Sequence, residues 1–219
     1  MIKGFIFDLD GTLLDTLDDL TVAINKVLAK HNFPQHSSKD VKEMIGSGAE
    51  KLVERALPKQ KISAEQFNII YKEFMEVYKT SQDFTKIYGG LPEVLDYLSQ
   101  ENIKIAVATN KPDNASQICK NQYLSKWQID PFFGIKDGVP TKPNPFMLNK
   151  IIEIWGFEKS EVIFVGDSPE DMETAKNAGV SAIGVGWGFR SLDQLIKSGA
   201  TFTVEDTGSF LRKVKELRG

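Results

Sequence analysis

Short apolar runs that stop at polar residues recur along the chain. Each run is apolar at most positions and lacks the alternation of a half-exposed strand, which predicts strands buried on both faces of a parallel sheet. The four runs and the residues that end them are 2–7 before Asp8, 103–108 before Thr109, 162–165 before Gly166 and 180–185 before Gly186.

Helix signals follow these runs. Pro112 comes shortly after the second run, and Pro169 opens a segment that Gly179 closes. Ser191 and Gln194 have the spacing of a capping box. Strands that alternate with helices predict βαβ units, and therefore an α/β fold in which helices cover both faces of a parallel sheet.

The strand signal gives way to helical periodicity between Leu14 and about Tyr88. One apolar helical face follows Thr16, which we expect to be its N-cap. Another follows Ser63, with Gln66 three positions later as in a capping box. This block is therefore predicted to be all-helical.

The helical block lies inside the sheet-forming sequence, because the alternating pattern resumes with a helix entered at Pro92. We therefore predict two domains. A sheet-forming core would comprise residues 1–14 and 84–219, and an inserted helical domain would comprise residues 15–83.

The composition excludes several classes of protein. With 219 residues, 41% of them hydrophobic, and a net charge of −3, the chain should fold and lacks the basic excess that holds a nucleic acid scaffold. The single cysteine, Cys119, cannot form an intramolecular disulfide, and the two histidines are too isolated for a zinc cluster. No apolar run is long enough to cross a membrane, so we expect a cytoplasmic protein without a membrane partner.

Acidic residues collect at the ends of the predicted strands. In an open parallel sheet, ligands bind outside the carboxyl ends of the strands, where Asp8, Asp10 and Asp167 would converge. A single acid in such a place is usually a helix cap or a solvated turn. Several carboxylates at one point repel each other unless a hard cation neutralises them, and oxygen ligands of this kind predict Mg²⁺ as the cofactor.

The same edge of the sheet carries groups suited to phosphoryl transfer. Asp8 would attack phosphorus, and Asp10, on the same side of the strand, would protonate the leaving alkoxide and then deprotonate water. Lys142 would offer its charge to the phosphoryl oxygens, Thr109 a hydroxyl and a backbone amide, and Asn110 a side-chain amide. We therefore expect Asp8, Asp10, Thr109 and Lys142 to be catalytic.

Asp171 lies four positions after Asp167, at the start of the helix that follows. It either takes part in the metal site, directly or by supporting the metal ligands, or it caps the helix, where the helix dipole favours a carboxylate. The sequence leaves both roles open.

Four motifs, in this order and over the whole chain, resemble those of the haloacid dehalogenase superfamily. They are Asp8-Leu9-Asp10-Gly11-Thr12-Leu13, Thr109-Asn110-Lys111, Lys142-Pro143 and Gly166-Asp167-Ser168-Pro169-Glu170-Asp171. The resemblance implies a Rossmann-like core, a helical cap that closes over the substrate, and a metal that also contacts the main-chain carbonyl of Asp10. It implies a phosphatase or a phosphomutase, because other branches of the superfamily replace the second aspartate.

The inserted segment offers candidates for substrate contacts. Gly46 and Gly48 suit a loop that approaches a ligand closely, and Lys51 and Arg55, on the helix that this loop opens, would meet a second anionic group. The same residues also fit a plain turn between helices with a solvated basic face.

A narrower resemblance concerns the substrate. Residues 45–57, together with Thr109-Asn110-Lys111 and Tyr88-Gly89-Gly90, are similar to bacterial phosphoglycolate phosphatases, whereas Trp187-Gly188-Phe189-Arg190 departs from them. The departure affects the expected entrance to the site. The role of Arg190 is not predicted.

The expected protein is thus a phosphoric monoester hydrolase that acts on a small phosphorylated metabolite, with 2-phosphoglycolate as one candidate. A sugar phosphomutase and a pyrophosphatase or nucleotidase remain alternatives, because the same groups would serve them. A non-catalytic binding protein on this fold is disfavoured by the intact set of Asp8, Asp10, Lys142 and Asp167. The pattern does not distinguish a monomer from a homodimer.

Overall fold

The structure, a computed structural model, describes residues 1–58, 62–81 and 83–219. The chain separates into two compact units. The first comprises Met1–Leu14 and Ile87–Gly219, and the second comprises Asp15–Lys86.

The return from the second unit to the first lies a few residues beyond the predicted residue 84. Phe84 and Thr85 stay with the helical unit because their backbone N–H groups donate to Asp19 Oδ2, at 3.2 and 2.7 Å. The Thr85 hydroxyl donates to the same oxygen at 2.6 Å. Asp19 is buried, and these donors satisfy a carboxylate that would otherwise be costly to bury.

The strands of the described residues form a parallel sheet and one short pair. They are β1 (Gly4–Phe7), β2 (Leu14–Asp15), β3 (Lys86–Ile87), β4 (Lys104–Pro112), β5 (Ile129–Ile135), β6 (Val162–Gly166), β7 (Ser181–Val185) and β8 (Phe202–Val204). In this part of the chain β2 pairs with β3, and the other six strands form a sheet in the order β5-β4-β1-β6-β7-β8. All neighbours in the larger sheet are parallel, which confirms the predicted α/β fold.

Helices separate most of these strands along the chain, with none in the described stretch between β1 and β2. They are α1 (Leu17–Lys30), α2 (Ser38–Met44), α3 (Ala49–Ala56), α4 (Ala64–Thr80), α5 (Leu91–Gln100), α6 (Asp113–Cys119), α7 (Phe146–Trp155), α8 (Pro169–Ala178), α9 (Leu192–Lys197) and α10 (Thr207–Arg218), with a π-helical turn at Lys120–Leu124 and a 3₁₀ turn at Lys159–Glu161. The first four belong to the second unit, so the inserted block is helical as predicted. Over the described residues, no helix is both long and apolar enough to span a bilayer.

The central strand β1 divides the core of the first unit into two clusters. Phe5 and Phe7 pack in one cluster with α5 and α10, whereas Ile6 packs in the other with α7 and α8. Alternate residues of a strand point to opposite faces, so a strand covered by helices on both sides must be apolar at every position. This explains why the strands were readable as continuous apolar runs.

Several strand predictions were wrong in extent. β1 begins at Gly4 and not at Ile2, and β4 extends to Pro112, past the predicted end at Ala108. The sequence analysis missed β5, whose apolar run is interrupted by Asp130 and Pro131, and β8, a three-residue strand at the edge of the sheet. Strands at the edge are partly exposed and need no continuous apolar run.

The predicted helix caps divide into two groups. Ser63 accepts a hydrogen bond from the Gln66 N–H at 3.1 Å, and Ser191 forms a complete capping box with Gln194. Thr16 precedes α1 as predicted, but its side chain makes no capping hydrogen bond. Its Oγ1 is buried and has no hydrogen-bond partner among the described residues.

Removing the side-chain hydroxyl should therefore affect stability differently at Ser63 and at Thr16. Ser63→Ala should lower the free energy of unfolding by about 1 kcal/mol, because the Gln66 N–H loses its acceptor. Thr16→Val, which keeps the shape of the side chain, should leave the stability unchanged or raise it, because it removes a buried polar group that has no partner. Chemical denaturation of the two variants and the wild type measures both effects. A loss of stability in Thr16→Val as large as that in Ser63→Ala would contradict the assignment.

Candidate active site

The candidate site lies at the carboxyl ends of the central strands. Because β1 lies between β4 and β6, the residues that follow these three strands come to one edge of the sheet. Asp8 directly follows β1, and its backbone N–H donates to Val165 O of β6 at 2.9 Å. Asp167 directly follows β6, so these two predicted site residues are neighbours.

A buried lysine pairs with two carboxylates at this edge. Lys142 Nζ lies 2.7 Å from Asp8 Oδ1 and donates to Asp171 Oδ1 at 2.6 Å. At these distances the Lys142 ammonium forms a buried ion pair with each of the two carboxylates. Burial lowers the pKa of Lys142, but Asp171 and Asp8 outweigh burial and hold the pKa above its usual range.

Asp171 holds both this lysine and the start of α8. Its Oδ2 accepts from the backbone N–H groups of Asp167 and Ser168, at 3.2 and 3.1 Å, and from the Ser168 hydroxyl at 2.6 Å. The Ser168 hydroxyl accepts from the Asp171 N–H in return, which completes a capping box. Asp171 therefore caps the helix, and its other oxygen is engaged by Lys142.

The two remaining buried aspartates are hard to ionise without a further positive charge. Burial raises the pKa of Asp8 to about 7, against the lowering effect of Lys142, and Asp171 and Asp10 add to the rise. Burial likewise raises the pKa of Asp167 to about 8, and the charges of Asp171 and Asp8 raise it further. One lysine does not balance this group of carboxylates.

Asp167 is clamped from several sides. Its Oδ1 accepts from the Thr12 hydroxyl at 3.0 Å, and its Oδ2 accepts from the Phe189 N–H at 2.7 Å. A side chain at Gly11 would overlap Asp167 Oδ2 and the Phe189 ring, and one at Gly188 would overlap the Asp167 side chain. Two glycines and two hydrogen bonds therefore fix the position of this carboxylate. The sequence analysis assigned no role to Thr12 or Phe189.

Thr109 and Asn110 lie in the last part of β4, and the structure gives each a partner. Thr109 Oγ1 accepts from the Lys111 N–H at 3.2 Å. The Asn110 side chain accepts from the Lys142 N–H at 2.8 Å and donates to Lys142 O at 3.3 Å. Asn110, predicted as a phosphate ligand, therefore holds the backbone of the loop that carries Lys142. The second N–H of its side-chain amide is not used in these two hydrogen bonds, so phosphate binding by Asn110 stays a prediction.

Asp10 pairs with a lysine to which the sequence analysis gave no role. Lys111 Nζ donates to Asp10 Oδ1 at 2.9 Å, and the lysine side chain is 4% exposed. The two residues are 101 positions apart in the chain. The available signal was the charge of Lys111 itself. This lysine belongs to a motif that was expected to end a strand at the site, and a charged group buried at the edge of a sheet needs a partner of opposite charge.

The predicted substrate contacts of the inserted segment lie around α3 of the second unit. Gly46 and Gly48 have positive φ angles of 130° and 89°, which only glycine adopts without strain. Lys51 Nζ pairs with Glu54 at 2.6 Å, and Arg55 donates to Met44 O at 2.7 Å. These contacts lie within the helical unit. The segment is a turn with two glycines, followed by a helix that carries Lys51 and Arg55.

The carboxylates at the sheet edge form a group that fits a metal ion. One oxygen from each of Asp8, Asp167 and Asp171 lies within 4.8 Å of the others, and all three residues are buried. Carboxylate oxygens are hard donors of the kind that Mg²⁺ prefers, and burial together with the neighbouring carboxylates raises the pKa values of Asp8 and Asp167, which a bound cation would lower. The donor set therefore fits a hard divalent cation.

Known proteins of one family resemble this chain along most of its length. The haloacid dehalogenase-like hydrolase family matches residues 5–185. The phosphoglycolate phosphatase of Vibrio parahaemolyticus serotype O3:K6 is 31% identical over 221 residues, covering 97% of this chain and 96% of that protein. Phosphoglycolate phosphatase 1 of Pseudomonas aeruginosa is 31% identical over 216 residues, covering 94% of this chain and 77% of that protein.

A solved structure agrees with these sequence relatives. The crystal structure of a predicted phosphoglycolate phosphatase from Haemophilus somnus has a TM-score of 0.90 and 27% identity to this chain, and covers 97% of it and 98% of its own length. The predicted superfamily and the predicted enzyme class, a phosphoric monoester hydrolase, are confirmed at the level of the family and these relatives. The chain belongs to the haloacid dehalogenase-like hydrolases.

Proposed function

We propose that this protein is a Mg²⁺-dependent phosphatase that hydrolyses a small phosphomonoester through a phosphorylated Asp8. The observation that carries the proposal is the position of Asp8. Its carboxylate lies at the carboxyl end of the central strand, 2.7 Å from the buried ammonium of Lys142 and beside Asp167. A nucleophile, a fixed positive charge and a metal ligand are the components that phosphoryl transfer requires.

The carboxylates of Asp8 and Asp167 are the proposed metal ligands. Each oxygen of Asp167 accepts a single hydrogen bond, whereas Asp171 gives one oxygen to the Lys142 ammonium and accepts three hydrogen bonds with the other, so we assign Asp171 the role of orienting Lys142 and the Asp167 backbone. The resemblance to the family adds the main-chain carbonyl of Asp10 to the ligands. When bound, Mg²⁺ supplies positive charge that stabilises the ionised aspartates and the phosphoryl oxygens.

In the first half-reaction, a carboxylate oxygen of Asp8 forms a bond to phosphorus while the bond from phosphorus to the leaving oxygen breaks. The Lys142 ammonium lies next to Asp8, where it stabilises the negative charge on the transferring group. Asp10 donates a proton to the leaving alkoxide, which departs as the alcohol. Thr109 is proposed to bind a phosphoryl oxygen at the end of β4.

In the second half-reaction, Asp10 takes a proton from water as that water attacks the phosphorus of the phosphorylated Asp8. The bond between phosphorus and Asp8 breaks, which releases inorganic phosphate and restores the Asp8 carboxylate. Asp10 holds the proton that the next leaving group needs. One phosphomonoester and one water thus become one alcohol and one phosphate.

The substrate proposed is 2-phosphoglycolate, which carries a carboxylate beside its phosphate. Two of the relatives at 31% identity are named phosphoglycolate phosphatases, which supports this choice. Lys51 and Arg55 are proposed to recognise the carboxylate, and Gly46 and Gly48 to let the loop approach it. A phosphomutase would use the same residues of the first unit, and no contact among the described residues favours it.

The nucleophile is tested by Asp8→Asn. We expect phosphate release from phosphomonoesters in the presence of Mg²⁺ to fall below detection, because an amide does not attack phosphorus. Asp137→Asn is the matched control, since Asp137 is an exposed aspartate in the turn after β5 and should keep wild-type turnover. Turnover by Asp8→Asn equal to that of the wild type would refute the mechanism.

The substrate is tested with 2-phosphoglycolate and p-nitrophenyl phosphate, which lacks the carboxylate. Lys51→Met should raise KM about tenfold for 2-phosphoglycolate and leave the aryl phosphate unaffected, because only the former loses a charged partner. Lys39→Met removes an exposed lysine of α2 and is the control. Equal changes for both substrates would remove Lys51 from the proposed recognition site. A preference of the wild type for a nucleotide, a sugar phosphate or pyrophosphate would replace 2-phosphoglycolate as the substrate.

The metal proposal predicts an unusual dependence of stability on pH. Because the pKa values of Asp8 and Asp167 are raised, the folded protein binds more protons than the unfolded chain between about pH 4 and about pH 8. Without metal, stability should therefore be greatest at the acidic end of this range and fall as the pH rises through it. Thermal unfolding in EDTA from about pH 5 to about pH 8 measures this.

Added Mg²⁺ should remove most of this fall, since it binds the ionised aspartates of the folded state. Asp167→Asn should flatten the profile in EDTA, whereas the control Asp137→Asn should keep the slope of the wild type. An unfolding temperature in EDTA that rises with pH over this range would contradict the proposed charge balance.

A further inference from the structure

Two lysines at the sheet edge serve two different aspartates. Lys142 pairs with Asp8 and Asp171, whereas Lys111 donates to Asp10 Oδ1 at 2.9 Å. The side chains of Lys111 and Asp10 are 4% and 16% exposed, so solvent screens this pair only weakly. The nucleophile and the acid/base residue of the proposed function thus each have an ammonium partner.

Asp10 lies further past the end of β1 than Asp8 does. It lies beyond β1, in a turn that continues through Gly11 at a φ of +85° and forms a single bridge from Asp10 to Leu14. The Lys111 ammonium approaches from the end of β4, a strand that pairs directly with β1.

The position of Lys111 is itself fixed. Its backbone N–H donates to Thr109 Oγ1 at 3.2 Å, and its neighbour Asn110 is bonded to the Lys142 backbone at 2.8 Å. The stem of the lysine is buried at the end of a central strand. A donor anchored in this way selects one orientation of the carboxylate that it contacts.

We propose that Lys111 is a positioning residue for proton transfer, which holds Asp10 by Oδ1 so that Oδ2 carries the proton exchanged with the leaving group and with water. The inference rests on the proposed function. An ammonium that donates to Oδ1 favours protonation at the other oxygen, and a fixed Oδ2 lies at a constant distance from the reacting oxygen. The competing interpretation is that Lys111 acts on the substrate itself, independently of Asp10.

A double-mutant cycle separates these two interpretations. The wild type, Lys111→Met, Asp10→Asn and the double variant are assayed with benzyl phosphate, whose alkoxide leaving group needs a proton, and p-nitrophenyl phosphate, whose leaving group does not. We expect Lys111→Met to lower kcat/KM about 100-fold for benzyl phosphate, the scale of general acid catalysis, and less than about 5-fold for the aryl phosphate. In the Asp10→Asn background, removing Lys111 should cause no further loss with benzyl phosphate.

Two controls keep the result interpretable. Lys136→Met removes an exposed lysine of the same region and should leave both kcat/KM values unchanged. Lys111→Arg keeps a charged donor and should restore a large part of the benzyl phosphate activity. If Lys111→Met does not fold, as judged by circular dichroism, Lys111→Gln is carried through the same cycle and decides it.

Losses for Lys111 and Asp10 that multiply in the double variant would overturn the inference, because they would mean independent action. Equal losses for both esters in Lys111→Met would overturn it too, since a proton-transfer defect depends on the leaving group. Either result with an active wild type leaves the phosphatase proposal intact. A wild type that releases no phosphate from either ester would refute the proposed function, and the inference with it.

Discussion

The ion pairs of Lys142 are the interaction on which the site depends. Three aspartates are buried at one edge of the sheet, and burying even one ionised carboxylate without a partner is prohibitively costly. Lys142 lies between Asp8 and Asp171 and offsets part of this charge. Burial and the neighbouring carboxylates still raise the pKa values of Asp8 and Asp167, so a bound cation would stabilise their ionised forms.

The same pairs connect the site to the fold. Asp171 orients Lys142 through one oxygen and caps α8 through the other, so the start of that helix and the position of the ammonium are determined together. Asn110 holds the Lys142 backbone from the end of β4. Two elements that are distant in the chain, α8 and β4, thereby fix the position of Lys142. This is the kind of rigid support that preorganised electrostatic catalysis requires.

The sequence predicted the buried strands from their apolar runs, and it predicted the place of the site from the rule that ligands bind at the carboxyl ends of parallel strands. Asp8 and Asp167 could be located because each directly follows a strand that is apolar on both faces. The partners of the last residues of β4 were harder to predict, because they lie in a distant loop and in the turn after β1, and strand periodicity does not encode such contacts. The hydrogen bonds between the Asn110 side chain and the Lys142 backbone were not foreseen, and the partnership of Lys111 with Asp10 was missed. Threonine is a residue type that often caps helices, but a cap also needs a backbone N–H within reach of the side-chain oxygen. The residue type of Thr16 does not show whether such an N–H is present.

In the proposed metal site, the clamp around Asp167 would also affect which ions are accepted. Thr12 and the Phe189 N–H hold its two oxygens, and Gly11 and Gly188 leave no space beside it. A carboxylate held in this way would resist moving to make room for a larger ion or turning both of its oxygens toward the ion. Mg²⁺ demands short, regular contacts to oxygen, whereas Ca²⁺ prefers longer and more adaptable ones. The rigid side chain of Asp167 would thus favour a small cation such as Mg²⁺ over a larger one such as Ca²⁺.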